Sequence, residues 1–283
     1  MKRALLSLLV TVVVIGAIAL ALKPAAVNQY RLWREAKVVG GYREAAAALD
    51  TLTCGERVAE ARETNGKIRQ VDLPDVWDEA YAWGEDAEAA LLDIADSGAI
   101  TVLEIPKLGL ILPVVRGRSG ELLDEGVAHL EGSSLPVGGE GTHCVLAGQA
   151  GGRLSNPMDG LERLMAGDLF TLQTLRDTLT YEVESLETLA PEALQPQRVD
   201  AEADVCTLMT AIDLDGEDAR LLVRARRVQR RAVPLEDDTQ VLPGWAARLI
   251  FAAPLALAGL LVLAFVEAIR RFAGWRKLKK LKL

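Results

Sequence analysis

Hydrophobic positions follow three different rhythms along the 283-residue chain. The first is continuous. Ala4 to Leu22 is 19 residues without a charge, closed by Lys23 and Pro24, and Leu249 to Val266 is a second uncharged run. At about 1.5 Å per residue in a helix, either run reaches across a hydrocarbon layer roughly 30 Å thick. Trp245 and Trp275 flank the second run as interfacial aromatics do, and Pro254 inside it is tolerated in a membrane helix. For the first run the alternative is a cleaved signal peptide, with Ala17, Ala19 and Ala21 offering small residues for cleavage; its length favours an uncleaved anchor.

The second rhythm is helical and the third alternates. Residues 28–70 are rich in Ala, Glu and Arg and place Leu32, Val38, Val39, Ala46, Leu49 and Leu52 at irregular helical spacing, which predicts one or two helices. DLPDVWDEAYAWGEDAEAALLD predicts a Pro-broken turn and then an acidic helix. After Gly98 come short, β-branched runs between turn signals: AITVLEI, LILPVVR, THCVLAG, DLFTLQT, TLTYEVESL, DVCTLMT and RLLVRARRV. Seven such runs predict an all-β barrel or sandwich. The plan is an N-terminal anchor (1–23), a helical preamble (24–97), a β domain (98–232), a linker (233–244), a C-terminal membrane helix (245–269) and a basic tail (270–283).

Charge adds an orientation. The formal net charge is −8, and removing the nine positive charges of the two ends (Lys2, Arg3 and seven Lys/Arg from Arg270 to Lys282) leaves −17 for residues 4–269. An acidic body lacks the basic face that nucleic acid requires. Basic ends are retained in the cytoplasm, which puts both termini there and the β domain outside, in a two-pass protein of the cell membrane. Three cysteines, Cys54, Cys144 and Cys206, leave at least one thiol unpaired or bonded to another chain. None lies in a metal-ligand spacing and the only histidines are His129 and His143, so neither a metal nor a cofactor is expected.

The words inside the β region carry more than their rhythm. IPKLGLILPVVRG, GVAHLEGSSLPVGGEGTHCVLAGQAGG, LERLMAGDLFTLQ, TLTYEVESLETLAPE and TLMTAIDLDGEDARLLVRARRV, in this order and spacing, resemble the class C, or pilus-assembling, sortases over roughly residues 45–275. The resemblance implies an eight-stranded sortase-type β barrel with an N-terminal helical preamble and two membrane helices, on the outer face of a Gram-positive membrane. It also implies cysteine transpeptidation, in which a thiolate attacks the Thr-Gly bond of a sorting motif and the acyl group passes to a pilin lysine. That chemistry needs a nucleophile, an acid-base group and a cation for the oxyanion.

Position by position, the resemblance places the family's histidine, in a word such as VLSGHRG, at Gln149 of VLAGQAGG. It places the family's cysteine, in a word such as TLVTCTPYG, at Ala211 of TLMTAIDLDG, and the family's arginine at Arg220. An amide does not exchange a proton near neutral pH, and a methyl group forms no thioacyl bond. Family members often carry an Asp-Pro-aromatic lid, which Asp75 and Trp77 match in part; pairing of Asp75 with Arg220 is one reading, a helix N-cap at Asp75 the other. Arg220 has a second candidate partner in the acidic group Asp213, Asp215, Glu217 and Asp218. Cys144 and Cys206 stand an odd number of residues before Gln149 and Ala211, so alternation points them away from the site. If their strands are neighbours, as the family fold suggests, the alternatives are two buried free thiols, which are favoured, or a Cys144–Cys206 disulfide. His129 and His143 fall on non-catalytic family positions and are expected to be structural.

Three functions are compatible with these readings. The first is a catalytically inactive, membrane-anchored homologue that binds pilins, sorting-motif peptides or an active sortase. The second is a cysteine transpeptidase with a non-standard site, using Cys144 or Cys206 in pilin polymerisation or cell-wall anchoring. The third is a purely structural membrane protein.

Overall fold

The computed structural model describes residue 16 and residues 29–84, 86–117, 126–150 and 157–229. The membrane runs (Gly16 apart), the predicted linker and the basic tail lie outside the described residues. Among the described residues, no helix is long and apolar enough to cross a membrane. Two compact units are present: Arg34–Thr239, and a second made of Met1–Trp33 with Gln240–Leu283. All strands among the described residues belong to Arg34–Thr239.

Helix α1 is helical over 29–48 and α2 spans Thr51–Asn65. Asp50 separates them, and its carboxylate accepts from the backbone N–H groups of Leu52 (3.0 Å) and Thr53 (2.9 Å), which otherwise have no partner in a first helical turn. Cys54, Val58, Ala61 and Asn65 recur on one face of α2 and are buried. Each helix is tied to the barrel by a polar side chain. The Tyr42 hydroxyl donates to the Ile100 carbonyl at 2.7 Å and accepts from Leu175 N–H at 2.9 Å; the Asn65 amide exchanges two hydrogen bonds with the Leu135 backbone, at 2.7 and 3.0 Å.

Among the described residues ten strands follow in chain order: β1 (Gln70–Val71), β2 (Ala99–Ile105), β3 (Leu110–Arg116), β4 (Val127–His129), β5 (Thr142–Gly148), β6 (Leu169–Thr174), β7 (Asp177–Leu189), β8 (Gln197–Arg198), β9 (Asp204–Leu214) and β10 (Glu217–Val228). Eight of them close a barrel in the order β10-β7-β6-β2-β3-β4-β5-β9. The sheet is mixed, with β3–β4 and β5–β9 parallel and the other pairs antiparallel. The remaining two strands, β1 and β8, form a small antiparallel sheet of their own. Asp215 and Gly216, both with positive φ, make the tight turn that joins β9 to β10, the conformation an Asp-Gly pair favours in a hairpin.

Alternation along the strands separates two apolar clusters. One takes residues from all eight barrel strands, including Leu103, Val114, Val127, Leu146, Phe170, Tyr181, Leu208 and Val223, and is joined by Cys54, Val58 and Ala61 of α2. The other lies on the opposite face of β4, β5, β9 and β10, where Ala128, Val145, Ala147, Met209 and Leu222 are covered by Val71, Leu73 and Val76.

Leu73 and Val76 belong to a strap, 72–86, that follows β1 and differs from the expectation. No acidic α-helix follows the Pro74 turn; the segment runs through turns, and only Glu88–Leu92 forms a short 3-10 helix. Tertiary contacts override the helical pattern. Trp77, Tyr81 and Trp83 pack on the outer cluster, and the Trp83 ring lies so close to Gly117 that any side chain there would overlap it. The strap ends at Asp86, whose φ of 39° is left-handed and whose carboxylate meets His129 Nδ1 at 2.7 Å. The same imidazole contacts the Ser134 carbonyl and the Ser133 hydroxyl through Nε2, each at 3.1 Å.

The two histidines respond to pH in opposite directions. Burial pushes His129 down, but the hydrogen bonds and charges of Asp86 and Cys144 outweigh it and raise the imidazole to about 10. Its contribution to stability is complete below the ordinary value of 6.5 and disappears as pH rises through about 10. His143, whose Nε2 lies 2.8 Å from the Thr207 hydroxyl, is lowered to about 4 by burial and by Arg224. Its contribution is complete above 6.5 and is lost as pH falls through about 4. Thermal unfolding of the full chain across this range is expected to give a midpoint that falls on both sides of near-neutral pH. Asp86→Asn should flatten the alkaline limb and destabilise the neutral protein by roughly 3–5 kcal/mol, the cost of breaking a buried pair. An alkaline limb unchanged by the substitution would show that Asp86 does not hold His129.

Candidate functional site

Ala211 and Arg220 lie on the adjacent strands β9 and β10, and Gln149 directly follows the end of the neighbouring β5. Strand β9 runs between β5 and β10, with Ala147 opposite Met209 and Met209 opposite Leu222. One step further along the same face, Ala211 stands directly opposite Arg220, and Gln149 follows the end of β5. The three strands thus present an amide, a methyl group and a guanidinium on the outer face of the barrel.

The strap lies over this row. Arg220 Nε donates to Asp75 Oδ1 at 2.7 Å and Nη2 to Asp75 Oδ2 at 2.8 Å, a two-point contact between planar groups. Asp218 adds a second carboxylate, with Nη1–Oδ1 at 2.6 Å and Nη2–Oδ2 at 3.1 Å, and Nη1 also donates to the Ala219 carbonyl at 3.0 Å. The five donor hydrogens of a guanidinium therefore meet these five acceptor contacts. Burial opposes the charge on Arg220, whose side chain is 2 % exposed, and the two carboxylates more than compensate, raising its pKa. Asp218, 68 % exposed, is lowered by the same hydrogen bond.

Trp77 completes the cover. Its indole Nε1–H donates to Gln149 Oε1 at 2.6 Å, and the Arg220 guanidinium carbon sits 5.2 Å from the centre of its ring, within cation–π range. Asp75 also accepts from Trp77 N–H at 3.3 Å, so it closes a local turn rather than capping an α-helix. Asp75, Trp77, Gln149 and Arg220 are thus in direct contact. Of the acidic hairpin residues, Asp218 reaches Arg220, while Asp213 accepts from Gly216 N–H at 2.8 Å and braces its own turn.

The cysteines are elsewhere. Cys144 and Cys206 are register partners on β5 and β9 and belong to the interior cluster, on the opposite sheet face from Ala147, Met209 and Leu222. They are free thiols in this structure, as is the buried Cys54. Among the described residues, no group of three His, Cys, Asp or Glu side chains is arranged to hold a metal ion. The residue that sequence reasoning missed is Asp86, the anchor for the end of the strap. Its only local signal was its place as a short polar residue tolerant of left-handed backbone, and its partner His129 is 43 positions away.

The arrangement as a whole matches known proteins. The sortase-domain family profile matches residues 103–228. The Streptococcus pneumoniae sortase C, whose crystal structure was described as informing catalysis and pilin substrate specificity, is 28 % identical, with a TM-score of 0.61 over 70 % of this chain and 99 % of its own. A pilus-related sortase C of Group B Streptococcus is 31 % identical, with a TM-score of 0.60 over 67 % of this chain and 96 % of its own. Sortase C-1 of Actinomyces oris is 32 % identical, with a TM-score of 0.53 over 62 % and 99 %. No curated protein matches the chain by sequence. The eight-stranded mixed barrel with its N-terminal helices, and the near-complete coverage of relatives above 30 % identity, establish that this chain belongs to the class C sortases, a family of cysteine transpeptidases.

Proposed function

We propose that the chain is a membrane-anchored class C sortase homologue that has lost transpeptidation and binds pilin or sorting-motif peptides, or an active sortase, at the cell surface. The observation that carries this reading is the row formed by Gln149, Ala211 and Arg220, where the family chemistry calls for an imidazole, a thiol and a guanidinium. The uncharged runs 4–22 and 249–266, with basic residues beyond both, support two membrane passes with both ends in the cytoplasm. Asp75 and Trp77 act as a lid on the groove, held by Arg220 and Gln149. A transpeptidase working through Cys144 or Cys206 has little support, because both thiols belong to the barrel interior.

The test of lost chemistry is a peptide-cleavage and transpeptidation assay on the full chain in detergent, with sorting-motif peptides offered with and without an amine acceptor. No turnover is expected, since losing a nucleophile or its base costs roughly 10⁴- to 10⁶-fold in rate. The double variant Gln149→His/Ala211→Cys is expected to gain turnover. Activity in the unmodified chain would overturn the reading.

The lid is tested by hydrogen exchange at the amides of Asp78 and Tyr81, which are bonded within the strap to the carbonyls of Asp75 and Asp78. Asp75→Asn should raise exchange there about ten- to hundred-fold, the equivalent of a charge-assisted hydrogen bond worth roughly 1.5–3 kcal/mol. Trp77→Phe, which keeps a ring and removes the donor to Gln149, should raise it less. Sorting-motif peptide binding should tighten in step with opening; binding indifferent to both substitutions would show that the strap does not cover the peptide site.

A further inference from the structure

The barrel interior holds a cluster of polar and nucleophilic groups that the groove does not use. Cys144 and Cys206 face one another across the parallel pair β5–β9, as direct register partners, and both point inward. The His129 imidazole, fixed by Asp86, lies on the same interior face, its register partner Leu146 two residues from Cys144. Tyr181, whose hydroxyl donates to Asp204 Oδ1 at 2.9 Å, stands close by.

Two facts make the pair chemically distinctive. Neighbouring strands lie about 4.8 Å apart, and a disulfide spans Cα atoms about 4.4–6.8 Å apart, so register partners on adjacent strands, with side chains on the same face, meet the Cα spacing of a disulfide. The two thiols are also unequal. Burial raises both, but hydrogen bonds from Cys206 and His129 bring Cys144 below its ordinary value, while burial and the neighbouring Cys144 leave Cys206 well above it. In thiol–disulfide exchange that asymmetry separates an attacking sulfur from a resolving one.

We infer that Cys144 and Cys206 form a two-electron redox site inside the barrel, oxidised by a small-molecule disulfide to a bond that staples β5 to β9. The Cys144 thiolate attacks one sulfur of the oxidant, forming a mixed disulfide and releasing one thiol. Cys206 then loses its proton and displaces the second thiol. Two protein thiols and one small disulfide become one protein disulfide and two small thiols. With the sulfur-bearing residues 3 % and 0 % exposed, the oxidant gains access through local opening or before folding is complete, and the product is shielded in the same way from reduction. The staple joins the strand that Gln149 follows to the strand that carries Ala211, each five residues further along. This inference stands on the interior pair and is independent of the groove's proposed function.

The test equilibrates the full chain in detergent with oxidised and reduced glutathione, quenches with acid, alkylates, digests and reads the peptides by mass. Oxidised glutathione should remove two hydrogens per chain and produce a Cys144–Cys206 linked peptide, with Cys54 still alkylated. The melting midpoint of the linked form should equal or exceed that of the reduced one. The Cys206→Ser chain, treated in parallel, should lose the two-hydrogen shift. The assignment is overturned if Cys144 and Cys206 are both alkylated at the oxidising limit, if Cys54 appears in the linked peptide, if the shift survives Cys206→Ser, or if the linked form melts lower.

Discussion

Arg220 is a guanidinium almost wholly removed from water, and among the described residues it is the largest side chain buried to that degree. An ion in that position is tolerated only when its charge is matched and its donors are filled. The barrel wall alone does not do this, because the residue directly opposite on β9 is Ala211. The match comes from Asp75 on the strap and from Asp218, two residues back on the same strand. Asp218 is largely exposed, so solvent weakens its share, and the buried part of the compensation rests on Asp75. The strap is therefore an electrostatic component of the barrel wall as well as its apolar cover.

Holding Asp75 in place requires both ends of the strap to be fixed. At its start, Val71 belongs to β1, which is paired with β8, and Leu73 and Val76 are buried on the outer cluster. At its end, Asp86 enters the protein to reach His129 on β4. His129 shares a sheet face with Val127, so the strap and the barrel interior are joined through one short strand. Asp86 thus ties the strap to His129, which shares the barrel's interior face with the Cys144–Cys206 register pair of β5 and β9.

Much of this fold was legible because the strands are half-buried surfaces that alternate. Each of the seven runs, from AITVLEI to RLLVRARRV, coincides with a barrel strand. The eighth barrel strand, β4, was not visible as a run, since three residues do not establish a period; nor were β1 and β8, of two residues each. The acidic helix expected after Pro74 failed for a different reason. Its composition is helical, but the burial of Trp77, Tyr81 and Trp83 and the left-handed Asp86 are tertiary demands that local propensity does not contain. At the site, the nearness of Asp75 to Arg220 could be raised from a partial family word. The Trp77–Gln149 and Asp86–His129 contacts could not, because they join residues 72 and 43 positions apart whose meeting depends on the path of the strap.

The hydrogen bond from Trp77 depends on the kind of acceptor that Gln149 supplies. An imidazole there accepts from an indole N–H only through an unprotonated ring nitrogen, so its contact with the strap would follow its own titration. The carbonyl of an amide accepts at every pH. With Gln149 as acceptor, the indole has a fixed partner, and its ring stays in place for the Arg220 guanidinium to stack against. A histidine at this position would thus make the contact proton-dependent, whereas Gln149 makes it permanent.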